Sequence, residues 1–186
     1  MEELLRFLNS IHPLSSGLIE YLSIHLKEKN LSRKDYLLKA GQTCRHIYFI
    51  EEGLLRCFYL KGEVEVSSWF MKEGDVITSI GSFFNQKESY ESIQALEACH
   101  LYYIDFNELQ HIYNNFSEFN FISRVLLQKY YIIWDQQLYG LRMQQAQERY
   151  NWLMEAHPEI ILRVPAKFIA SYLGITEVTL SKLKAR

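Results

Sequence analysis

Between Lys29 and Tyr103 the hydrophobic pattern has a period of two, whereas the segments on either side have the period of a helix. No other feature restricts the fold as strongly, because alternate side chains leave opposite faces of a strand and cannot also line one face of a helix. Ile47, Phe49 and Glu51 alternate against Tyr48, Ile50 and Glu52, and Val64, Val66, Ser68 and Phe70 alternate against Glu65, Ser67 and Trp69. Glycines at 41, 53, 62, 74 and 81 punctuate the stretch. Lys61-Gly62 has the composition of a tight hairpin turn, and Ala40-Gly41 that of a turn with positive φ at the glycine. A polar cluster, Asn85 to Ser89, precedes two last strands at Glu91–Ala95 and His100–Ile104. Short strands at near-regular spacing predict an antiparallel roll rather than a parallel βαβ sheet.

The flanks make the chain α+β. Leu4, Leu5 and Leu8, then Leu14, Leu18, Leu22 and Leu26, describe two short helices separated by Pro13. After the roll, Asp105 or Asn107 can cap a short helix, and a longer one is expected from Ser117 to Tyr139, with Gly140 permitting a break. Along it Phe119, Leu126 and Ile133 stand one heptad apart, with Ile122, Tyr130 and Gln137 as companions, a stripe suited to a dimer seam. Leu127, Tyr131 and Trp134 lie off that stripe, so the helix has two apolar flanks to cover. The domain reading is residues 1–115 for the roll with its N-terminal helices, 116–140 for a dimerisation helix and 141–186 for a small C-terminal domain.

Charge confines any nucleic-acid contact to one end. The chain carries a formal charge of -2, yet residues 161–186 hold Arg163, Lys167, Lys182, Lys184 and Arg186 against Glu177 alone. That end is +4, leaving -6 on residues 1–160. No apolar run approaches the roughly 18 residues of a membrane helix. Acids at Glu2 and Glu3 stand where a signal peptide carries basic residues, so a cytoplasmic protein with no membrane partner is expected. Cys44, Cys57 and Cys99 form no CxxC pair, and the six histidines form no local pair for haem or another metal. Neither the HxH-type metal motif of catalytic rolls nor a GxSxG, Walker or GxGxxG motif occurs, and no enzyme, metal or cofactor is expected.

The last 22 residues carry the most specific signal. Pro165 suits the first turn of a helix continuing through Leu173, Gly174 supplies a positive-φ turn, and Thr176 caps a second helix. Ala170 is the small residue at the helix junction, and Ile169, Leu173, Ile175, Leu180 and Leu183 are apolar at the positions a helix-turn-helix requires. Its outer face offers Thr176, Glu177, Val178, Thr179, Ser181, Lys182, Lys184 and Arg186, with Lys167 on the preceding helix, as candidate DNA contacts.

With these residues in place the chain resembles the Crp/Fnr superfamily of bacterial transcription regulators. The resemblance rests on Arg163-Val164-Pro165-Ala166-Lys167-Phe168-Ile169-Ala170-Ser171-Tyr172-Leu173-Gly174-Ile175-Thr176 with Thr179-Leu180-Ser181, on Gln147-Glu148-Arg149-Tyr150 and His157-Pro158, and on three roll segments. Those are Leu38-Lys39-Ala40-Gly41, Ile47 to Gly53, and Gly74-Asp75. The resemblance implies a cyclic-nucleotide-binding-type β-roll (a double-stranded β-helix) and a homodimer joined by the long helix. It also implies a winged helix-turn-helix, its wing here short or absent, reading double-stranded DNA at a palindromic operator, with RNA polymerase a candidate further partner.

Two departures alter that expectation. Cyclic-nucleotide binders of the family hold phosphate with an arginine and ribose with a glutamate, whereas alignment puts Ser89 and Ser79 in those places. A phosphate buried without a bidentate cation is an unpaired charge, so cyclic AMP is not the expected effector. Candidate pocket residues are Ser79, Ser82, Phe83, Phe84, Ser89, Tyr90, Tyr130 and Tyr131, either lining an apolar site for an uncharged or lipid-like effector or filling the roll as a scaffold. On the reading helix, Val178 and Lys182 replace a glutamate and an arginine usual in relatives, changing the base preference. The competing class is an effector- or partner-binding signalling module with weak or no DNA binding.

Overall fold

A computed structural model describes residues 1–185. Helices α1 (Glu2–Ile11) and α2 (Ser16–His25) lead into eight strands: β1 (Lys27–Leu31), β2 (Tyr36–Leu38), β3 (His46–Glu52), β4 (Leu55–Lys61), β5 (Val64–Met71), β6 (Val76–Ile77), β7 (Glu91–Ala95) and β8 (Cys99–Asp105). They pair antiparallel in two four-stranded sheets, ordered β1-β8-β3-β6 and β2-β7-β4-β5. Ile50, Leu55, Ile77, Ile93 and Leu101 turn inward and are almost wholly buried. The period-two reading therefore yields the antiparallel roll, and the α+β class holds.

Gly53 joins β3 to β4 at φ +101°, and a Cβ there would stand 2.4 Å from the Ala98 carbonyl oxygen, so only glycine fits this crossing. The sequence reading does not foresee that Ile80–Asn85 forms a short helix, α3, ended by Gln86 in the left-handed region at φ 51°.

Helix α4 (Phe106–Asn115) opens on a capping box in which the Asp105 side chain accepts from the Glu108 N–H and Glu108 returns the bond to the Asp105 N–H. Helix α5 runs from Ser117 to Met143, straight through Gly140. The expected break is absent because Gly140 is a packing glycine: a Cβ would lie 3.0 Å from Gln144 Oε1 and against the Arg149 stem. The long helix thus extends past the sequence boundary at 140. Helices α6 (Ala146–Ala156) and α7 (Pro158–Arg163) follow.

Helix α8 (Ala166–Tyr172), a turn through Gly174 at φ +66° and helix α9 (Glu177–Lys184) complete the chain, and no strand follows α9 among the described residues. Ile169, Leu173, Leu180 and Leu183 are buried together with Tyr150, Leu153, Ile160 and Val164. Each such side chain contributes on the order of 2 kcal/mol by leaving water. Leu54 and Leu96 of the roll belong to the same cluster, so the C-terminal helices rest on the roll. Among the described residues no helix is long and apolar enough to cross a membrane, and no group of His, Cys, Asp and Glu is arranged to hold a metal. The three cysteines are free and buried.

Candidate nucleic-acid interface and roll interior

Thr176 sets the start of α9: its hydroxyl oxygen accepts from the Thr179 N–H at 3.1 Å and pairs with the Thr179 hydroxyl at 2.9 Å. Leu180 and Leu183 anchor the helix inward, leaving Glu177, Val178, Ser181, Lys182 and Lys184 exposed and Thr179 half-buried. Lys167 is exposed on α8, with Nζ 4.7 Å from the centre of the Phe168 ring. Arg186 lies outside the described residues. Of the predicted contacts on α9, Glu177, Val178, Ser181 and Lys182 therefore share one solvent-facing surface opposite Leu180 and Leu183, and Lys184 stands at its flank.

Arg163 does not belong to that surface. Its Nε and Nη2 donate to Glu97 at 3.1 and 2.6 Å, and its Nη1 and Nη2 to Glu73 at 2.8 and 2.7 Å. Two acids of the roll neutralise it, so the local +4 overstated the charge available to DNA. The Arg163 guanidinium holds the Glu73 carboxyl at about 2, against an ordinary 4.5. A depressed folded-state pKa contributes stability that is complete above about 4.5 and lost as pH falls toward about 2. Arg163→Ala should therefore destabilise the protein at pH 7, with the gap to wild type narrowing between these values in urea denaturation. A gap independent of pH would contradict the assignment.

A second arginine braces the reading unit. Arg149 Nε donates to the Leu173 carbonyl at 2.9 Å, and its Nη1 donates to the Gln144 carbonyl, joining the end of α5 to the turn of the helix-turn-helix. The sequence marked Arg149 only through family resemblance; the carbonyl partners are 24 and 5 residues away and leave no local signature.

Inside the roll, Ser79 and Ser89 face each other, hydroxyl to hydroxyl at 2.9 Å. Ser89 also donates to the Glu91 carbonyl at 2.9 Å. Ser82 accepts from the Cys44 N–H at 2.8 Å and donates to the Lys87 carbonyl. Phe83 is fully buried, edge-on to Phe84 and Phe106. The Glu91 carboxyl is raised by burial. The aromatic half of the predicted pocket does not assemble there. Phe84, Tyr90 and Tyr131 are exposed, and Tyr130 instead accepts from the Val76 N–H at 2.9 Å beside Asp75. Tyr131 follows Tyr130 on the helix and so cannot share its face.

The predicted seam also needs correction. Phe119 and Ile122 are buried in the chain's own core, and Leu126 packs against it. Tyr130 is engaged as above, Ile133 lines a cleft with Trp69 and Leu153, and Gln137 Nε2 donates to the Ser68 carbonyl at 3.0 Å. This stripe faces the roll of the same chain. The free apolar stripe is the other one, Leu127, Tyr131, Trp134, Leu138 and Leu141, spaced four, three, four and three; all five are exposed, Tyr131 to 74% and Trp134 to 58%. Such spacing is the a/d pattern of a helix pair.

The family model for the cyclic nucleotide-binding domain matches residues 28–116. No curated protein matches the chain. Among solved structures the chain is similar to a CooA double mutant from Carboxydothermus hydrogenoformans, at 22% identity and TM-score 0.74, covering 98% of this chain and 82% of that one. It is similar to FixK2 from Bradyrhizobium japonicum, at 15% identity and TM-score 0.73, covering 86% and 83%. It is also similar to the catabolite activator protein of Thermus thermophilus, at 15% identity and TM-score 0.59, covering 94% and 84%. Residues 28–116 thus match the cyclic nucleotide-binding domain family, within a chain that shares its fold with these three structures.

Proposed function

We propose that this protein is a DNA-binding transcription regulator that works as a homodimer. The observation that carries the reading is α9, a capped helix anchored by Leu180 and Leu183 whose opposite face presents Glu177, Val178, Ser181 and Lys182 to solvent. A duplex major groove admits such a helix, its cations neutralising phosphates while short polar side chains reach base edges. Pairing through Leu127, Tyr131, Trp134, Leu138 and Leu141 supplies two copies of α9. A two-fold pair reads an inverted repeat whose half-sites are centred roughly 34 Å apart, one turn of DNA. Selecting bound fragments from random DNA at about 0.1 M salt, within the range where such contacts hold, should return that repeat. Recovery of unrelated fragments alone would reject the reading.

The effector, if the roll takes one, is not cyclic AMP. Ser79 and Ser89 bond each other where the family places its ribose and phosphate partners, and the nearby Glu91 carboxyl opposes an anion. No cation among Thr78 to Tyr90 is buried to meet a phosphate; Lys87 is exposed. Calorimetry with cyclic AMP should show no heat of binding at micromolar concentrations, and saturable, phosphate-dependent heat would overturn this.

A further inference from the structure

Strand β5 is the last strand of its sheet, so one edge of its backbone has no strand partner. Helix α8 occupies that edge. The Ser171 hydroxyl donates to the Glu65 carbonyl at 3.0 Å and accepts from the Ser67 N–H at 2.9 Å, replacing the missing ladder by one side chain. Beside this clip lies Arg56, fully buried although it carries a charge. Its guanidinium is sandwiched between the rings of Phe58 on the roll and Phe168 on α8, 4.1 and 3.6 Å from their centres. Nη2 donates to Glu65 at 2.6 Å and reaches Gln94 at 3.4 Å. Nε and Nη1 have no hydrogen-bond partner among the described residues.

This arrangement works against itself. Stacking and the Glu65 bond favour the docked helix. Burying a guanidinium with two donors unsatisfied opposes it, and water would satisfy both donors once α8 moved away. Burial also pulls the Arg56 pKa down, against the lift from Glu65. An apolar side chain of similar length would hold α8 without that cost. The docking surface therefore contains a group that weakens it, beside the Ser171 clip and a ring contact in which Phe70 and Tyr172 meet at 5.3 Å.

We propose that Arg56 is the release element of a latch between the helix-turn-helix and the roll, keeping the docking of α8 on β5 reversible. Arg163, clamped to Glu73 and Glu97 just before α8 begins, is the pivot that stays attached. The sheet strand that bears Arg56 outward also carries Cys57 and Tyr59. A displacement of β4 therefore reaches α8 directly, without passing through α5.

The Ser67 amide reports the latch, because its partner is on α8. Hydrogen exchange at that amide in the full-length protein, followed by NMR, measures how often the latch opens. Glu65→Ala leaves the buried cation unpaired and should speed exchange by about tenfold or more, the loss expected when one partner of a buried pair is removed. Arg56→Met should slow it by about tenfold, since an apolar side chain replaces the desolvated charge. Exchange at Ile50, bonded to the Asp75 carbonyl within the roll, should stay unchanged and verifies folding. Unchanged or slower exchange in Glu65→Ala, or faster exchange in a folded Arg56→Met protein, overturns the proposal. If Arg56→Met disturbs Ile50, the Glu65→Ala result decides alone. Docking is read on the protein itself, so its failure and a failure to bind DNA are separate results.

Discussion

Lys182→Glu combined with Lys184→Glu should remove DNA retention while leaving the fold intact. Both side chains are exposed on α9 and neither makes a hydrogen bond or ion pair among the described residues, so the melting transition should stay within the roughly 0.5 kcal/mol usual for surface changes. Each cation that meets a phosphate releases condensed counterions, and each glutamate put in its place is repelled. Losing two contacts should lower the slope of log affinity against log salt by about 2. Affinity at about 0.1 M salt should fall on the order of a hundredfold or more. Fluorescence anisotropy with an operator fragment and with a scrambled one measures both quantities. Equal retention by the double variant would favour the competing class, a module that binds an effector or protein partner through the same scaffold.

An acid in the exposed stripe of α5 should have a comparably large effect on assembly. Leu138→Asp, or Trp134→Asp, places a carboxylate on each of two facing helices, and two-fold symmetry doubles every change. Truncating one buried aromatic anchor costs about 2 kcal/mol or more, and an unpaired buried charge adds to it, so dimer affinity should fall by at least about a thousandfold. Sedimentation at micromolar concentration should then find the single chain. Gln137→Ala is the internal control. Gln137 bonds the Ser68 carbonyl of its own roll, so its loss should lower stability and leave the mass in solution unchanged. The opposite outcome, assembly lost with Gln137→Ala and kept with Leu138→Asp, would restore the stripe of Phe119, Leu126 and Ile133 as the seam.

How legible these features were depended on how far apart the interacting residues lie. The roll was readable because strand alternation is a property of neighbours, and the turns at Gly41 and Gly62 adopt positive φ as their composition indicated. Helix α3 was not, since six residues bounded by a polar cluster carry too little periodicity to separate a helical turn from a loop. The candidate pocket was half readable. Ser79, Ser82, Ser89 and Phe83 come together, whereas Phe84, Tyr90 and Tyr131 were placed by residue type, which says nothing about the direction a side chain takes.

The sequence by itself determined the helix-turn-helix and its cap, because Ala170, Gly174, Thr176 and the apolar positions around them act within a few residues of one another and need no distant partner to be recognised. Only the tertiary structure decided which of the two apolar stripes of α5 meets the roll and which is left free. Both stripes satisfy the same heptad spacing, and the choice depends on the angle at which the helix approaches the roll, where Tyr130 and Gln137 find Val76 and Ser68, 54 and 69 residues earlier in the chain. Tertiary structure also decided the fates of two arginines. Arg163 finds Glu73 and Glu97, 90 and 66 residues away, and Arg56 is enclosed by Phe168. Charge is visible in a sequence, but the partner that neutralises it, or the ring that desolvates it, is fixed only by folding.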